Sequence, residues 1–113
     1  QFSLKGPWLK RVEQYLSRKN HKYHRGVFIT VCGASGTKVR GEALAATWDG
    51  LCENMEGAAL ARVLADYTFP LVELRVISNF VTDRDLSSWR LRESVEKSGE
   101  ITAQIIKECL SHV

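Results

Sequence analysis

Gly50-Leu51-Cys52-Glu53-Asn54-Met55-Glu56-Gly57-Ala58-Ala59 opens the stretch that decides the fold, and Phe69-Pro70-Leu71-Val72-Glu73-Leu74-Arg75-Val76-Ile77-Ser78-Asn79 closes it. Between them, Leu60, Val63, Leu64 and Tyr67 recur at helical spacing. The small residues Gly57, Ala58, Ala59 and Ala61 would let such a helix approach a sheet closely. Residues 69–78 are too β-branched and too continuously apolar for a half-exposed strand, and predict a buried strand of a parallel or mixed sheet. Residues 50–53 suit a strand or extended segment ending where the helix begins. The unit is therefore strand, helix, strand, and in such units ligands collect beyond the carboxyl ends of the strands. Residues 53–56 and Ser78-Asn79 both fall there.

Outward from this unit, Gly26-Val27-Phe28-Ile29-Thr30-Val31-Cys32 predicts another buried strand, with Gly33-Ala34-Ser35-Gly36-Thr37 as the loop leaving it. Gly33 and Ser35 are candidate pocket residues, because glycine permits close backbone approach to a ligand; a tight turn explains the same residues. It is not a P-loop, since the glycine spacing is wrong. A helical stretch follows from Lys38 to Trp48. Ser35 in this context nearly makes a nucleophile elbow, with Asp83 or Asp85 and then His112 in hydrolase order. The match fails by one position, and a buried loop serine is the better reading.

Trp8, Leu9, Val12, Tyr15 and Leu16 predict an amphipathic helix over residues 7–17, with Pro7 suited to its first turn. At the other end, Ile101, Ile105 and Cys109, flanked by Ile106 and Leu110, form the core stripe of a long helix reaching about Ser111. Residues 1–25 hold seven Lys or Arg against Glu13 alone. Lys10, Arg11, Arg18, Lys19 and Lys22 read as a solvated helix face, because no nucleic-acid motif accompanies them. His21 and His24 lack a third ligand at metal-binding spacing, so neither metal nor cofactor is expected. At 44% hydrophobic and 26% charged residues the chain is globular, and no apolar run approaches a membrane span. Three cysteines without a close pair fit a reducing cytoplasm.

Asn54-Met55-Glu56-Gly57-Ala58-Ala59, Ile77-Ser78-Asn79 and Arg84-Asp85-Leu86-Ser87-Ser88-Trp89 together resemble the nucleoside phosphorylase and nucleosidase family. They look more like its futalosine hydrolases than its methylthioadenosine nucleosidases. The resemblance spans roughly residues 26–113, with several separated motifs agreeing in order. It implies an α/β fold, the C-terminal half of a three-layer nucleosidase domain with a mixed central sheet flanked by helices. It also implies that Glu56 accepts from the ribose hydroxyls and that Met55 packs on the sugar. A glutamate in a first helical turn meets the helix dipole favourably without any ligand; the flanking motifs are what favour the sugar role.

By the same resemblance the residue after Ile-Ser contacts the purine, which makes Asn79 the catalytic candidate. An aspartic acid could donate a proton to purine N7, whereas the asparagine amide donates to O6 or N7 and its carbonyl accepts from a ring N–H. That suits a 6-oxopurine, and the family narrows it to futalosine, cleaved to hypoxanthine and dehypoxanthine futalosine for menaquinone synthesis. Ser78, Arg84 and Trp89 are further pocket candidates, the last two placed to close over the substrate. An aromatic often lies under the purine in the family; Gly36 and Thr37 occupy that region here. Glu73 and Arg75 share one strand face and are expected to pair.

The family's water-activating glutamate belongs to an N-terminal strand without counterpart here, so residues 1–113 read as the C-terminal portion of one domain. The expected partners are a purine nucleoside, a missing N-terminal segment or companion chain, and further copies in a homo-oligomer, with no nucleic acid and no membrane. An adenine nucleosidase, a 6-oxopurine phosphorylase and an inactive nucleoside-binding fragment are the alternatives.

Overall fold

Parallel neighbouring strands need a crossover, and this chain makes one with a helix. In the computed structural model, which describes residues 1–110 and side chains as far as Glu108, the elements run in order. They are α1 (Pro7–Arg18), β1 (Val27–Thr30), α2 (Lys38–Trp48), β2 (Gly50–Asn54), α3 (Gly57–Asp66), a 3-10 turn (Leu86–Ser88) and α4 (Leu91–Ile105), which continues into a π turn (Ile106–Leu110). β1 and β2 pair in parallel, with Thr30 opposite Asn54 at their carboxyl ends. The α/β class expected from the sequence is the class observed. Among the described residues no helix is long and apolar enough to cross a membrane.

α2 has the predicted bounds because both ends are chemically marked. Thr37 caps it, its hydroxyl accepting from the Arg40 N–H at 3.3 Å, and the Asp83 carboxylate accepts from the Lys38 N–H at 3.1 Å. Asp49, left-handed at φ 52°, ends it. Val81 lies on this helix at Gly41, where a Cβ would collide with a valine methyl.

The start of α3 is built by the two strand ends. Asn54 Oδ1 accepts from the Gly57 N–H at 2.7 Å, the Glu56 N–H at 3.2 Å and the Thr30 hydroxyl at 3.0 Å. The Thr30 hydroxyl oxygen in turn accepts from the Ala58 N–H at 2.8 Å. Three N–H groups at the head of the helix are thereby satisfied by side chains from the carboxyl ends of both strands.

The main core is a small cluster of Val12, Tyr15, Leu16 and Ile101, against which Val72, Leu74 and Ile105 pack. Tyr15 is only 1% exposed, and its hydroxyl donates to Gln104. Lys19 and Arg18 both reach Glu108, whose carboxyl their hydrogen bonds and charges hold below its ordinary range.

Three expectations need correction. Residues 69–78 are not a paired strand: their side chains alternate, Val72 and Leu74 toward the core and Glu73 and Arg75 toward the head of α3, but no described strand lies alongside to complete a ladder. β1 is half-buried rather than buried, and Cys32 beyond it is exposed. α3, by contrast, approaches the sheet through its small residues as expected: Gly57 and Ala61 are buried, while Leu60, Val63 and Tyr67 lie in solvent and Leu64 is half-buried. Ile106 is exposed as well. The Cys109 and Leu110 side chains, with Ser111 and His112, lie outside the described residues.

The result is a slab of 45 × 32 × 19 Å with a radius of gyration of 15.2 Å, where a closed domain of this length has about 13 Å. Its accessible surface is 8704 Å², against roughly 6,300 Å² for a folded monomer of this size. Met55, Phe69, Ile77, Leu91 and Val95 contribute to the excess, and Phe80 is 86% exposed.

Because Asn54 and Thr30 act in one network, Asn54→Ala should destabilise the protein by about 1–3 kcal/mol and Thr30→Val by about 1 kcal/mol. The double variant should lose less than the sum. Urea unfolding followed by circular dichroism reads all three; a neutral Asn54→Ala would show that the joint is not a source of stability.

Candidate functional site

The carboxyl ends of β1 and β2 gather most of the polar side chains that a ligand could meet. Glu56 is the N-cap residue of α3, with its side chain 72% exposed. Its Oε2 accepts from the Met55 N–H at 3.3 Å and lies 3.5 Å from Arg75 Nη2, while Oε1 has no partner among the described residues. Met55 beside it is exposed. The expected Glu73–Arg75 pair is present, Arg75 Nε donating to Glu73 Oε1 at 2.9 Å. The pair does more than neutralise itself, because Arg75 also reaches Glu56. Glu73 lies against Gly57 so closely that a Cβ there would meet its carboxylate oxygens at 2.7 and 2.8 Å. A glycine at the helix start is what admits the carboxylate.

A second group surrounds residues 33–37. The Ser35 N–H donates to Glu53 Oε1 at 2.7 Å, and Arg40 Nη2 donates to the Gly33 carbonyl at 3.3 Å. The Gly36 carbonyl accepts from the Arg84 N–H at 3.1 Å, and with Asp83 on Lys38 this fastens residues 83–84 to the loop and to the head of α2. The Arg84 guanidinium lies 5.8 Å from the centre of the Trp89 ring, which is half-buried. Gly33, Ser35 and Arg84 are thus brought into one neighbourhood, and Glu53 joins it to the Asn54–Glu56 turn.

Asn79 is half-buried and tied locally: its Oδ1 accepts from the Ser78 hydroxyl at 2.6 Å and its Nδ2 donates to the Phe80 carbonyl at 3.1 Å. One amide N–H and one carbonyl lone pair remain for a ligand. The Ser78 carbonyl accepts from the Arg90 N–H at 2.9 Å, fixing the approach to α4. No hydrogen bond or ion pair links Asn79 to Glu56 among the described residues. Two buried polar atoms, Ser35 Oγ and Asn54 Nδ2, have no described partner, and a buried unsatisfied donor costs about 1–3 kcal/mol.

Cys52 sits beneath this cluster. Burial pushes its thiol up, Glu73 and Glu53 add to the shift and Arg75 opposes it, so the thiolate needed of a nucleophile is disfavoured. Among the described residues no group of three His, Cys, Asp or Glu could hold a metal. An open groove of about 480 Å³ lies elsewhere, between residues 1–5, the later part of α3 and residues 68–71, and contains none of the candidate site residues.

Sequence reasoning missed Glu53 as the tether of the Ser35 loop, Asp83 as a helix cap, and the Thr30–Asn54 joint. An asparagine three positions before a helical glycine is a local turn signal that could have exposed the joint. The other two depend on residues 18 and 45 positions away, and carry no local signal.

The phosphorylase superfamily matches residues 2–111. The futalosine hydrolase of Streptomyces coelicolor is 37% identical over 71 residues, 62% of this chain and 30% of the relative. That of Thermus thermophilus is 36% identical over 66 residues, 58% of this chain and 29% of the relative. The matched stretches therefore span less than a third of either relative. No solved structure matches significantly. With its parallel strand pair, the helix started by their carboxyl ends, and a family match over almost its whole length, the chain belongs to the phosphorylase superfamily.

Proposed function

We propose that this chain supplies the ribose and base contacts of an N-glycosidase that hydrolyses futalosine, releasing hypoxanthine and dehypoxanthine futalosine for menaquinone synthesis in the cytoplasm. The observation that carries the reading is Glu56: an exposed carboxylate at the carboxyl ends of a parallel strand pair, with one oxygen engaged and the other open. Two futalosine hydrolases among its relatives support the substrate.

Cleavage of an N-glycosidic bond builds positive charge on the sugar and negative charge on the departing base. Glu56 accepts from the ribose hydroxyls and stays anionic beside the developing oxocarbenium ion, while Met55 packs on the sugar. The free amide N–H of Asn79 donates to O6 or N7 of the purine, and such a preorganised donor is commonly worth about 10² to 10³ in rate. Water is the nucleophile. Gly33, Ser35 and Ser78 line the base side, and Arg84 with Trp89 covers it. The buried, unpartnered Ser35 Oγ and Asn54 Nδ2 support a polar ligand at this end of the sheet.

The chain acts in this reading as the C-terminal portion of a single domain. A further N-terminal segment or a companion chain covers the apolar slab and brings the water-activating carboxylate, and the completed domain assembles with copies of itself. The excess surface and the short span of the relatives support this.

Glu56→Gln should lower kcat/KM for futalosine by about 10²-fold or more while the circular dichroism spectrum is unchanged; wild-type kinetics would remove Glu56 from the mechanism. Asn79→Asp should lower efficiency on futalosine relative to methylthioadenosine, with released base followed by chromatography. Native cleavage of methylthioadenosine but not futalosine would favour an adenine nucleosidase. The 113 residues alone, verified by intact mass, should not hydrolyse futalosine, and full activity in that sample would overturn the half-domain reading.

A further inference from the structure

We infer that Glu53 is a positioning residue for the base, holding the irregular loop 33–37 in place relative to the turn that carries Glu56, in an inference that rests on the chain serving a nucleosidase. Its Oε1 accepts from the Ser35 N–H at 2.7 Å, the shortest hydrogen bond described for this loop. Among the described residues it is also the only hydrogen bond of Ser35, whose hydroxyl is buried without a partner. A backbone N–H on a carboxylate is charge-assisted, and such bonds are roughly twice as strong as neutral ones.

The other supports of the loop come from exposed residues. Arg40 reaches the Gly33 carbonyl at 3.3 Å and the Arg84 N–H reaches the Gly36 carbonyl at 3.1 Å, whereas Glu53 is half-buried on β2, opposite Ile29 in the parallel register. Successive side chains of a strand point to opposite faces. Asn54 starts α3 from one face, and Glu53 holds the loop that leaves β1 from the other. Two adjacent residues at the end of β2 therefore set both the turn that carries Glu56 and the loop that carries Gly33 and Ser35. A nucleoside joins sugar to base through a single bond, so the separation of these two supports has to match it, and a loop that sampled several positions would lose affinity to the cost of ordering. Glutamine can still accept the N–H through its amide carbonyl, whereas aspartate keeps the charge and loses the reach.

The test uses the nucleosidase with its whole domain and reads both KM for futalosine and the inhibition constant of free hypoxanthine, which probes the base side alone. Glu53→Ala should weaken hypoxanthine about tenfold and raise KM by a similar factor with a smaller change in kcat, the loss expected for one charge-assisted contact that orders a binding loop. Glu53→Gln should stay within about threefold of wild type, because the acceptor remains and only its charge is lost. Glu53→Asp should be as impaired as Glu53→Ala, and carries the test if that variant does not fold. Glu56→Gln should leave hypoxanthine inhibition unchanged, a separation that general loss of structure would not produce. The positioning role is overturned, with the futalosine reading intact, by wild-type hypoxanthine inhibition in Glu53→Ala, by a Glu53→Gln as impaired as Glu53→Ala, or by equal weakening of hypoxanthine in Glu56→Gln. If the native enzyme cleaves methylthioadenosine instead, the futalosine reading falls and inhibition is read with adenine, where the same loss in Glu53→Ala sustains the tether and no loss overturns it. A native enzyme that cleaves neither nucleoside removes both.

Discussion

Everything that places Glu56 depends on the hydrogen bonds by which Thr30 and Asn54 seize the first N–H groups of α3. The two side chains come from opposite positions in adjacent strands, so the sheet register and the helix start are fixed together. A shift of either strand by one residue would turn its side chains to the other face and leave helical N–H groups unmet. This coupling explains how the turn over residues 54–56 can be held by so short a sheet.

The electrostatic arrangement follows from that joint. Gly57, presented by Asn54, leaves room for the Glu73 carboxylate, and Glu73 fixes Arg75. Two carboxylates share one guanidinium, so the group keeps a net negative charge facing the open side of the strand ends. Burial, Glu73 and Glu53 push the Cys52 thiol up, and Arg75 opposes them.

What was legible in the sequence was what neighbours along the chain determine. α2 was readable to the residue because Thr37 and Asp49 mark its ends, and α1 because Pro7 starts it and Val12, Tyr15 and Leu16 share one face. The superfamily could be read from motifs for the same reason. The strand expected over residues 69–78 was not observed, since apolar β-branched composition sets an extended backbone but only a neighbouring strand makes a ladder. The close side of α3 was readable because Gly57 and Ala61 are small enough to let a helix approach a sheet. In the candidate site, the Glu73–Arg75 pair was readable from strand alternation, but its reach to Glu56 was not. That contact depends on how an extended segment lies across the head of a helix.

The core that closes the slab joins the two ends of the chain: Tyr15 bonds Gln104, and Arg18 bonds Glu108, 89 and 90 residues apart. During synthesis α1 therefore leaves the ribosome long before the helix that buries it exists. At about 5–20 residues per second the wait is roughly 4–18 s. Throughout that interval Val12, Tyr15 and Leu16 lack Ile101, so the amphipathic first helix is an early client for whatever shields nascent apolar surface in the cell. The basic residues along its outer face keep that waiting segment hydrated.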